Sequence, residues 1–552
     1  MKKERWYKDQ VFYQIWPRSF KDGNGDGIGD LLGIYEKLPY IQSLGVTGIW
    51  FSPLYVSPNA DYGYDIADYY AISPEYGDLE LFRKVLDKAH DLGMKVIMDL
   101  VVNHTSDEHP WFLASRDENS PYRDYYFWRK GRKNGKLPNN WDSLFEGKAW
   151  EYDEKSDAYY LHIFSIKQAD LNMDNPAVRR EVLDIMKFWL DMGVDGFRED
   201  VITFISKTPG LPNDIIPFAS GMRYYKNGPR LRKYLLQFRE LTDQYDCFTL
   251  GEAPMMTPKD ALSFVREGDG QTLDLMFHFQ HMEADCLFTD YLPLPFNLRR
   301  YKRVQTRWQN ALRGKAWNTL YLENHDHPRI ISRYGSERYR EESGKMLACS
   351  YLFLQGTPFL YQGQEIGMTN ISLPGIDDYA DVVAKTNYQR FVKIFSPEKT
   401  MSIIRRACRD SARTPVQWDA GEHAGFSESK PWFPVNPNYT EVNVAAQEAD
   451  PNSLLHFYRA AIALRKELPV VNDGTYTEYY PLSRSLYVYS RTNANARLLV
   501  ICSFTEKPVR FRAPKGFSLA DSELLLHNYG NCSSDRNAFT TRPYETRVYL
   551  WR

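Results

Sequence analysis

Short, mostly apolar runs recur along about the first 370 residues. They fall at 11–16, 47–51, 95–101, 194–198, 247–250, 273–278, 318–322 and 358–361. Runs of this length without polar alternation suit strands buried on both faces, as in a parallel sheet. Between them lie stretches with helical periodicity, among them 79–92, 177–192 and 342–354. The second is well marked. Asn175 can cap it, Pro176 takes the first helical position, and Gly193 follows its end. Eight strand-like runs with interleaved helices predict an α/β fold, a (β/α)8 TIM barrel.

The spacing of the runs is uneven. About 90 residues separate the third from the fourth, far more than one crossover helix needs. This stretch is rich in Trp, Tyr, Gly and Asn, as in Tyr125-Tyr126-Phe127-Trp128. It predicts a small domain inserted on the third βα loop. A second irregular stretch, about 373–438, carries many Pro, Asn and Trp. From about 475 the pattern turns to short alternating runs at 485–490, 497–504 and 546–551, which predict a C-terminal antiparallel β domain. The expected partition is therefore 1–103 for the first part of the barrel and 104–174 for the insert. The rest of the barrel takes 175–474, and the β domain 475–552.

Composition narrows the class. Lys and Arg number 69 against 71 Asp and Glu, a formal net charge of −2. Nucleic-acid binding would call for a basic excess, so it is not expected. No stretch of 18 apolar residues suggests a membrane span, and the polar start Met1-Lys2-Lys3-Glu4 carries no secretory signal. A cytoplasmic chain, monomeric or weakly self-associating, is expected. The six cysteines form no CxxC pair and read as buried reduced thiols. Aromatic residues make up 15% of the chain, which suits stacking platforms for sugar rings as well as ordinary core.

In a TIM barrel the chemistry sits at the C-terminal ends of the strands. Four predicted strand ends carry ionisable groups. They read Asp99-Leu100-Val101-Val102-Asn103-His104, Gly196-Phe197-Arg198-Glu199-Asp200, Gly251-Glu252 and Glu323-Asn324-His325-Asp326. Any one carboxylate alone could be a solvated loop residue or a helix cap. Together at one mouth they suit glycoside hydrolysis, where one carboxylate attacks the anomeric carbon and another protonates the leaving oxygen. In a retaining enzyme the two lie about 5–5.5 Å apart.

These four segments resemble the α-amylase superfamily of retaining glycosidases, glycoside hydrolase family 13, in its oligo-1,6-glucosidase and α-glucosidase branch. The resemblance covers nearly the whole chain. It implies Asp200 as nucleophile, Glu252 as general acid/base and Asp326 as transition-state stabiliser. It implies that Arg198 holds Asp200 ionised, and that His104 and His325 bind hydroxyls of the cleaved glucose. Asp61 and Tyr64, in Asp61-Tyr62-Gly63-Tyr64-Asp65, match the pocket for the non-reducing glucose. Arg413, in Arg413-Thr414-Pro415-Val416-Gln417-Trp418, resembles the arginine that pairs with that aspartate. Such closure would favour exo-action. Phe145 and Phe164 match its aromatic walls, although either could be core of the insert.

The segment Asp22-Gly23-Asn24-Gly25-Asp26-Gly27-Ile28-Gly29-Asp30 follows the first nine positions of a calcium loop. Asp22, Asn24, Asp26 and Asp30 would give side-chain oxygens, and Ile28 a carbonyl. Position 12 is Gly33, so the bidentate Glu of an EF-hand is missing. A Gly/Asp-rich turn would read the same way. The resemblance implies a structural calcium ion here and no organic cofactor.

Two features bear on the bond cleaved. Gln168-Ala169-Asp170-Leu171-Asn172 resembles a signature of the oligo-1,6-glucosidase group, with Ala169 in place of proline. Val201 follows the implied nucleophile, and in relatives valine there accompanies α-1,6 cleavage. The expected substrates are therefore small oligosaccharides such as isomaltose and panose-like sugars. Alternatives are an α-1,4-preferring glucosidase, a sucrose isomerase or transglucosidase, and a trehalose-6-phosphate hydrolase. The charged RLDRD stretch of the isomerases is missing from Pro295-Phe296-Asn297-Leu298-Arg299-Arg300-Tyr301-Lys302. The basic run Arg299, Arg300, Lys302, Arg303 could serve a phosphate or be a solvated helix face. A non-catalytic amylase-like module, as in transporter heavy chains, would lack the intact carboxylate set. One departure stands out. Glu199 replaces a usually apolar residue, and alternation aims it away from Asp200, where a carboxylate needs a partner.

Overall fold

The computed structural model describes residues 5–217, 219–532 and 537–552; the polar start at 1–4 lies outside them. All eight predicted strands are present. They are β1 (Phe12–Ile15), β2 (Gly48–Phe51), β3 (Lys95–Leu100), β4 (Gly196–Glu199), β5 (Phe248–Glu252), β6 (Leu275–Phe277), β7 (Thr319–Leu320) and β8 (Thr357–Tyr361). They pair in parallel in the order β6-β5-β4-β3-β2-β1-β8-β7, so sequence neighbours are sheet neighbours all the way round. The seam between β6 and β7 is bridged by side chains. Thr319 Oγ1 donates to the Met276 carbonyl at 2.9 Å, and the Tyr321 hydroxyl to the His278 carbonyl at 3.1 Å.

A barrel helix follows each strand, with further helices in some of the connections. The barrel helices are α1 (Leu31–Ser43), α2 (Leu79–Asp91), α3 (Pro176–Met192), α4 (Leu231–Thr242), α5 (Pro258–Val265), α6 (Leu298–Leu312), α7 (Arg340–Leu352) and α8 (Leu454–Glu467). Local sequence explains their ends. Asp78 caps α2, and Asn175 caps α3 with Pro176 behind it. Gly193 closes α3 at φ 107°, a left-handed conformation that glycine adopts without a Cβ clash.

The stretch between β3 and α3 forms the insert. It holds a three-stranded antiparallel sheet, with Ala158–Leu161 between Trp128–Arg129 and Trp150–Asp153. Its ends are tied by antiparallel pairing of His104–Ser106 with Gln168–Asp170. That pairing sets Gln168 and His104 beside the barrel mouth. The tail forms a five-stranded antiparallel sheet from β9 (Thr475–Tyr479), β10 (Leu486–Thr492), β11 (Arg497–Ser503), β12 (Glu523–His527) and β13 (Thr546–Trp551), in the order β9-β10-β11-β13-β12. Helix α7 is buried between barrel and tail. The Tyr489 hydroxyl donates to the Cys349 carbonyl at 2.8 Å.

The structure differs from expectation at about 373–438. Two helices run there, Val382–Phe391 and Pro397–Ala407. Asp381 and Ser396 cap them, and Pro397 takes the first helical position of the second. They close over an apolar cluster of their own that includes Tyr291, Tyr379, Ile404 and Phe433. The basic run at α6 is not a solvated face throughout, since Lys302 is buried and donates to the Tyr480 and Leu486 carbonyls of the tail. All six cysteines are free, and all but Cys532 are buried. Among the described residues no helix is long and apolar enough to cross a membrane.

Candidate active site

The sheet register builds the site. Arg198 on β4 lies level with Asp99 on β3 and Leu250 on β5. Parallel neighbours in register face the same side, so Arg198 and Asp99 meet inside the barrel. Arg198 Nη1 lies 2.5 Å from Asp99 Oδ1 and 2.7 Å from Asp200 Oδ1, and Nη2 lies 2.7 Å from Glu252 Oε2. Its ring of partners is buried: Arg198 is 1% exposed. Trp50 Nε1 and the Tyr64 hydroxyl donate to the second oxygen of Asp99.

One guanidinium thus serves three carboxylates, Asp200 among them. Burial pushes Asp200 well above the usual carboxylate range. Arg198 opposes this, but the neighbouring Glu252 and Asp99 carboxyls add to it. Burial likewise lifts Asp99 to about 6 against the pull of Arg198. Glu252 Oε2 also accepts the Val201 N–H at 2.9 Å. Val201 sits at φ 34°, a left-handed conformation rare for a β-branched residue. This strained residue adjoins both Asp200 and Glu252.

A second network surrounds this pair. His325 Nε2 lies 2.9 Å from Asp326 Oδ2 and 2.7 Å from the Tyr64 hydroxyl. The Gln14 amide reaches its Nδ1 at 2.7 Å. Trp16 and Tyr64 pack against its ring with nearly parallel planes, at 5.3 and 5.2 Å. Burial lowers His325 to about 4 and His104 to about 3, so both are neutral at pH 7. Asp326 goes the other way. Burial raises it, but His325, Arg409 and Arg413 outweigh that and hold it well below the usual range.

Asp61 is 5% exposed. Its arginine partner is Arg409, at 3.3 Å, and not Arg413 as the sequence suggested. Arg409 also reaches Asp326 at 3.2 Å and Asp381 at 2.7 Å. Arg413 is fully buried behind them. It donates to the His325 carbonyl, touches Asp326 at 3.4 Å and stacks over Trp16. The Gln168 amide links Asp61 at 3.3 Å to His104 at 3.1 Å. Phe145 and Phe164 meet edge-on at 5.2 Å, and Arg409 lies over the Phe145 ring.

A cavity of about 280 Å³ unites these groups. Asp61, Tyr64, His104, Phe145, Phe164, Asp200, Val201, Glu252, His325 and Asp326 line it, so the structure brings together all the expected residues except Arg198 and Arg413, which stand just behind. Gln168, Arg409, Asp290, Tyr291 and His327 also line it and were not anticipated as site residues. Asp99 stood in a quoted motif without a role.

The chain belongs to the α-amylase family. The family's catalytic-domain model matches residues 14–474. An oligo-1,6-glucosidase of Parageobacillus thermoglucosidasius is 49% identical, over 99% of each chain. Among solved structures, trehalose-6-phosphate hydrolase of Bacillus licheniformis superposes with a TM-score of 0.93 at 41% identity, covering 99% of this chain and 100% of that one. Isomaltulose synthase of Klebsiella sp. LX3 gives 0.95 at 38%, over the full length of both. The chain is a glycoside hydrolase acting on oligosaccharides.

The loop 22–30 is held by its own side chains. Asp22 accepts N–H groups of Asn24, Gly25 and Gly27, and the Ser427 hydroxyl at 2.5 Å. Asp30 accepts from Gly23, Asn24 and Gly33, the last as the cap of α1. Asn24 and Asp26 turn back onto the N–H groups two residues on. The donors are hard oxygens throughout, which fits a hard cation. Among the described residues only Asp285, Cys286 and Asp290 bring three His, Cys, Asp or Glu ligand atoms within 4.8 Å of one another, and Arg333 bridges the two aspartates.

Proposed function

We propose that this enzyme removes single α-1,6-linked glucose units from the non-reducing ends of isomaltose, isomalto-oligosaccharides and panose-like sugars, with retention. The observation that carries the mechanism is the buried pair Asp200 and Glu252, each held at 2.7 Å by the same guanidinium of Arg198. Retaining cleavage needs one carboxylate and one carboxylic acid on either side of the scissile bond. A glucose entering between them separates the pair. Glu252, acting as the acid, gives its proton to the glycosidic oxygen while the Asp200 carboxylate attacks C1. A β-glucosyl ester forms on Asp200. Glu252, now a carboxylate, takes a proton from water, which attacks C1 and frees Asp200. Asp326, held ionised, bonds sugar hydroxyls that carry positive character in the transition state. Neutral His104 and His325 each offer a ring N–H to the same glucose.

Exo-action is supported by the Asp61–Arg409 pair, which with Gln168 blocks one end of the cavity. A neutral substrate is supported by charge. Five carboxylates line the cavity (Asp61, Asp200, Glu252, Asp290, Asp326) against the single arginine Arg409. A phosphate dianion would meet repulsion there, which disfavours the phosphorylated disaccharide. The α-1,6 preference is supported by Val201 at the cavity and by the oligo-1,6-glucosidase relative. Loop 22–30 is proposed to take a structural calcium ion through Asp22, Asn24, Asp26, Asp30 and the Ile28 carbonyl. That ion would staple the β1–α1 turn to the segment around Ser427. The test is kcat/KM on isomaltose and maltose, side by side. Excess for isomaltose supports the linkage; excess for maltose overturns it and leaves the mechanism intact.

A further inference from the structure

Two groups line the cavity without joining the network around Asp200, Asp61 and His325. They are Asp290, on the hairpin strand Thr289–Pro293, and His327. His327 is 8% exposed, and its Nδ1 lies 2.9 Å from Asp290 Oδ2. Its Nε2 is buried and has no hydrogen-bond partner. Arg333 anchors Asp290 from behind at 2.9 Å. The same guanidinium also bonds Asp285 at 2.6 Å and the Met282 carbonyl at 2.8 Å, and it does not line the cavity. Burial raises Asp290, but Arg333 and His327 outweigh it and hold the carboxyl at about 2. A carboxylate only accepts, so the His327 proton sits on Nδ1 and Nε2 is left for another group. Phe279 packs edge-on against the imidazole at 5.5 Å and limits its rotation.

A buried ring nitrogen without a partner is destabilising. It is retained at low cost where a ligand completes it. The closed end of the cavity already has its hydroxyl-binding groups in Asp61, His104, His325 and Asp326. We infer that His327 contacts a hydroxyl of the leaving sugar, the one bonded through the scissile oxygen, and that Asp290 and Arg333 position it. With no unpaired guanidinium beside it, this contact suits an uncharged sugar hydroxyl and not a phosphate. The inference rests on the glucosidase reading above and adds a residue that selects the aglycone.

The test compares two substrates in the full-length enzyme. One is the disaccharide that the wild type cleaves faster, isomaltose or maltose. The other is p-nitrophenyl α-glucoside, whose aglycone has no hydroxyl to bind. In His327→Ala, kcat/KM on the disaccharide should fall about 10- to 100-fold further than on the nitrophenyl glucoside, mostly through KM. His327→Gln, which offers an amide at similar reach, should restore most of the ratio. Asp290→Asn should shift the ratio in the same direction, by less. An equal loss on both substrates, or none, in His327→Ala would overturn the inference, since a merely structural residue would not separate them. A wild type that prefers maltose sinks the linkage reading but leaves this ratio to be read on maltose.

Discussion

Glu199 sits between Arg198 and Asp200 in sequence, yet it faces away from both. It is fully buried, in register with Leu100 and Gly251, and neither carboxyl oxygen has a hydrogen-bond partner. Burial raises it from 4.5 to about 8; the nearby Asp274 adds to this and Arg239 opposes it. Arg239 is engaged with Asp274 at 2.9 Å and with Asp243, which leaves Glu199 as a neutral acid at pH 7. The raised value ties stability to pH. The unfolded chain releases this proton near pH 4.5 and the folded one near 8, so the contribution is full below about 4.5 and is lost progressively up to about 8. That span corresponds to about 5 kcal/mol, reduced to about 2–5 by local relaxation and water entry. Glu199→Leu removes the titration and the unsatisfied oxygens together. In urea unfolding followed by tryptophan fluorescence, the stability gap, variant minus wild type, should widen by that amount between pH 4.5 and pH 9. Every other titration cancels in the difference. A gap that stays constant with pH would refute the reasoning, because Glu199 would then be ionised and paired in the folded state.

Asp200→Asn should lower kcat on the order of 10⁴-fold or more while the protein keeps its fold, checked by steady-state kinetics beside circular dichroism. Arg409→Ala leaves Asp61 and Asp381 buried without their guanidinium; a loss of about 3–5 kcal/mol in that network should cut kcat/KM at least 100-fold, read on any cleaved disaccharide. Val201→Thr should move the isomaltose-to-maltose ratio of kcat/KM toward maltose by about 10-fold, measured on both sugars. Chelation should lower the thermal midpoint, and Asp22→Asn should abolish that shift; an unchanged midpoint would exclude a tightly held cation in loop 22–30.

The barrel was legible because its strands are buried on both faces and so stand out as short apolar runs. Even β7, only two residues long by its hydrogen bonds, lay within the predicted 318–322. The carboxylates were legible because each follows such a run directly. Arg409 was not, since it reaches Asp61 from 348 residues away out of a segment that reads as irregular. The two helices there carry their apolar faces against each other and against Tyr291, a local cluster whose periodicity is broken by Pro, Asn and Trp. Arg413 carried a recognisable motif but was displaced from its expected partner by Arg409, four residues earlier. His327 gave no signal, because a lone histidine shows its role only when Asp290 is placed against it.

The central claim is that Asp200 and Glu252 together cleave with retention. Proton NMR of the first glucose released, recorded before mutarotation, tests it most directly. α-Glucose as the initial anomer is the expected result. β-Glucose as the initial anomer would contradict the covalent intermediate on Asp200.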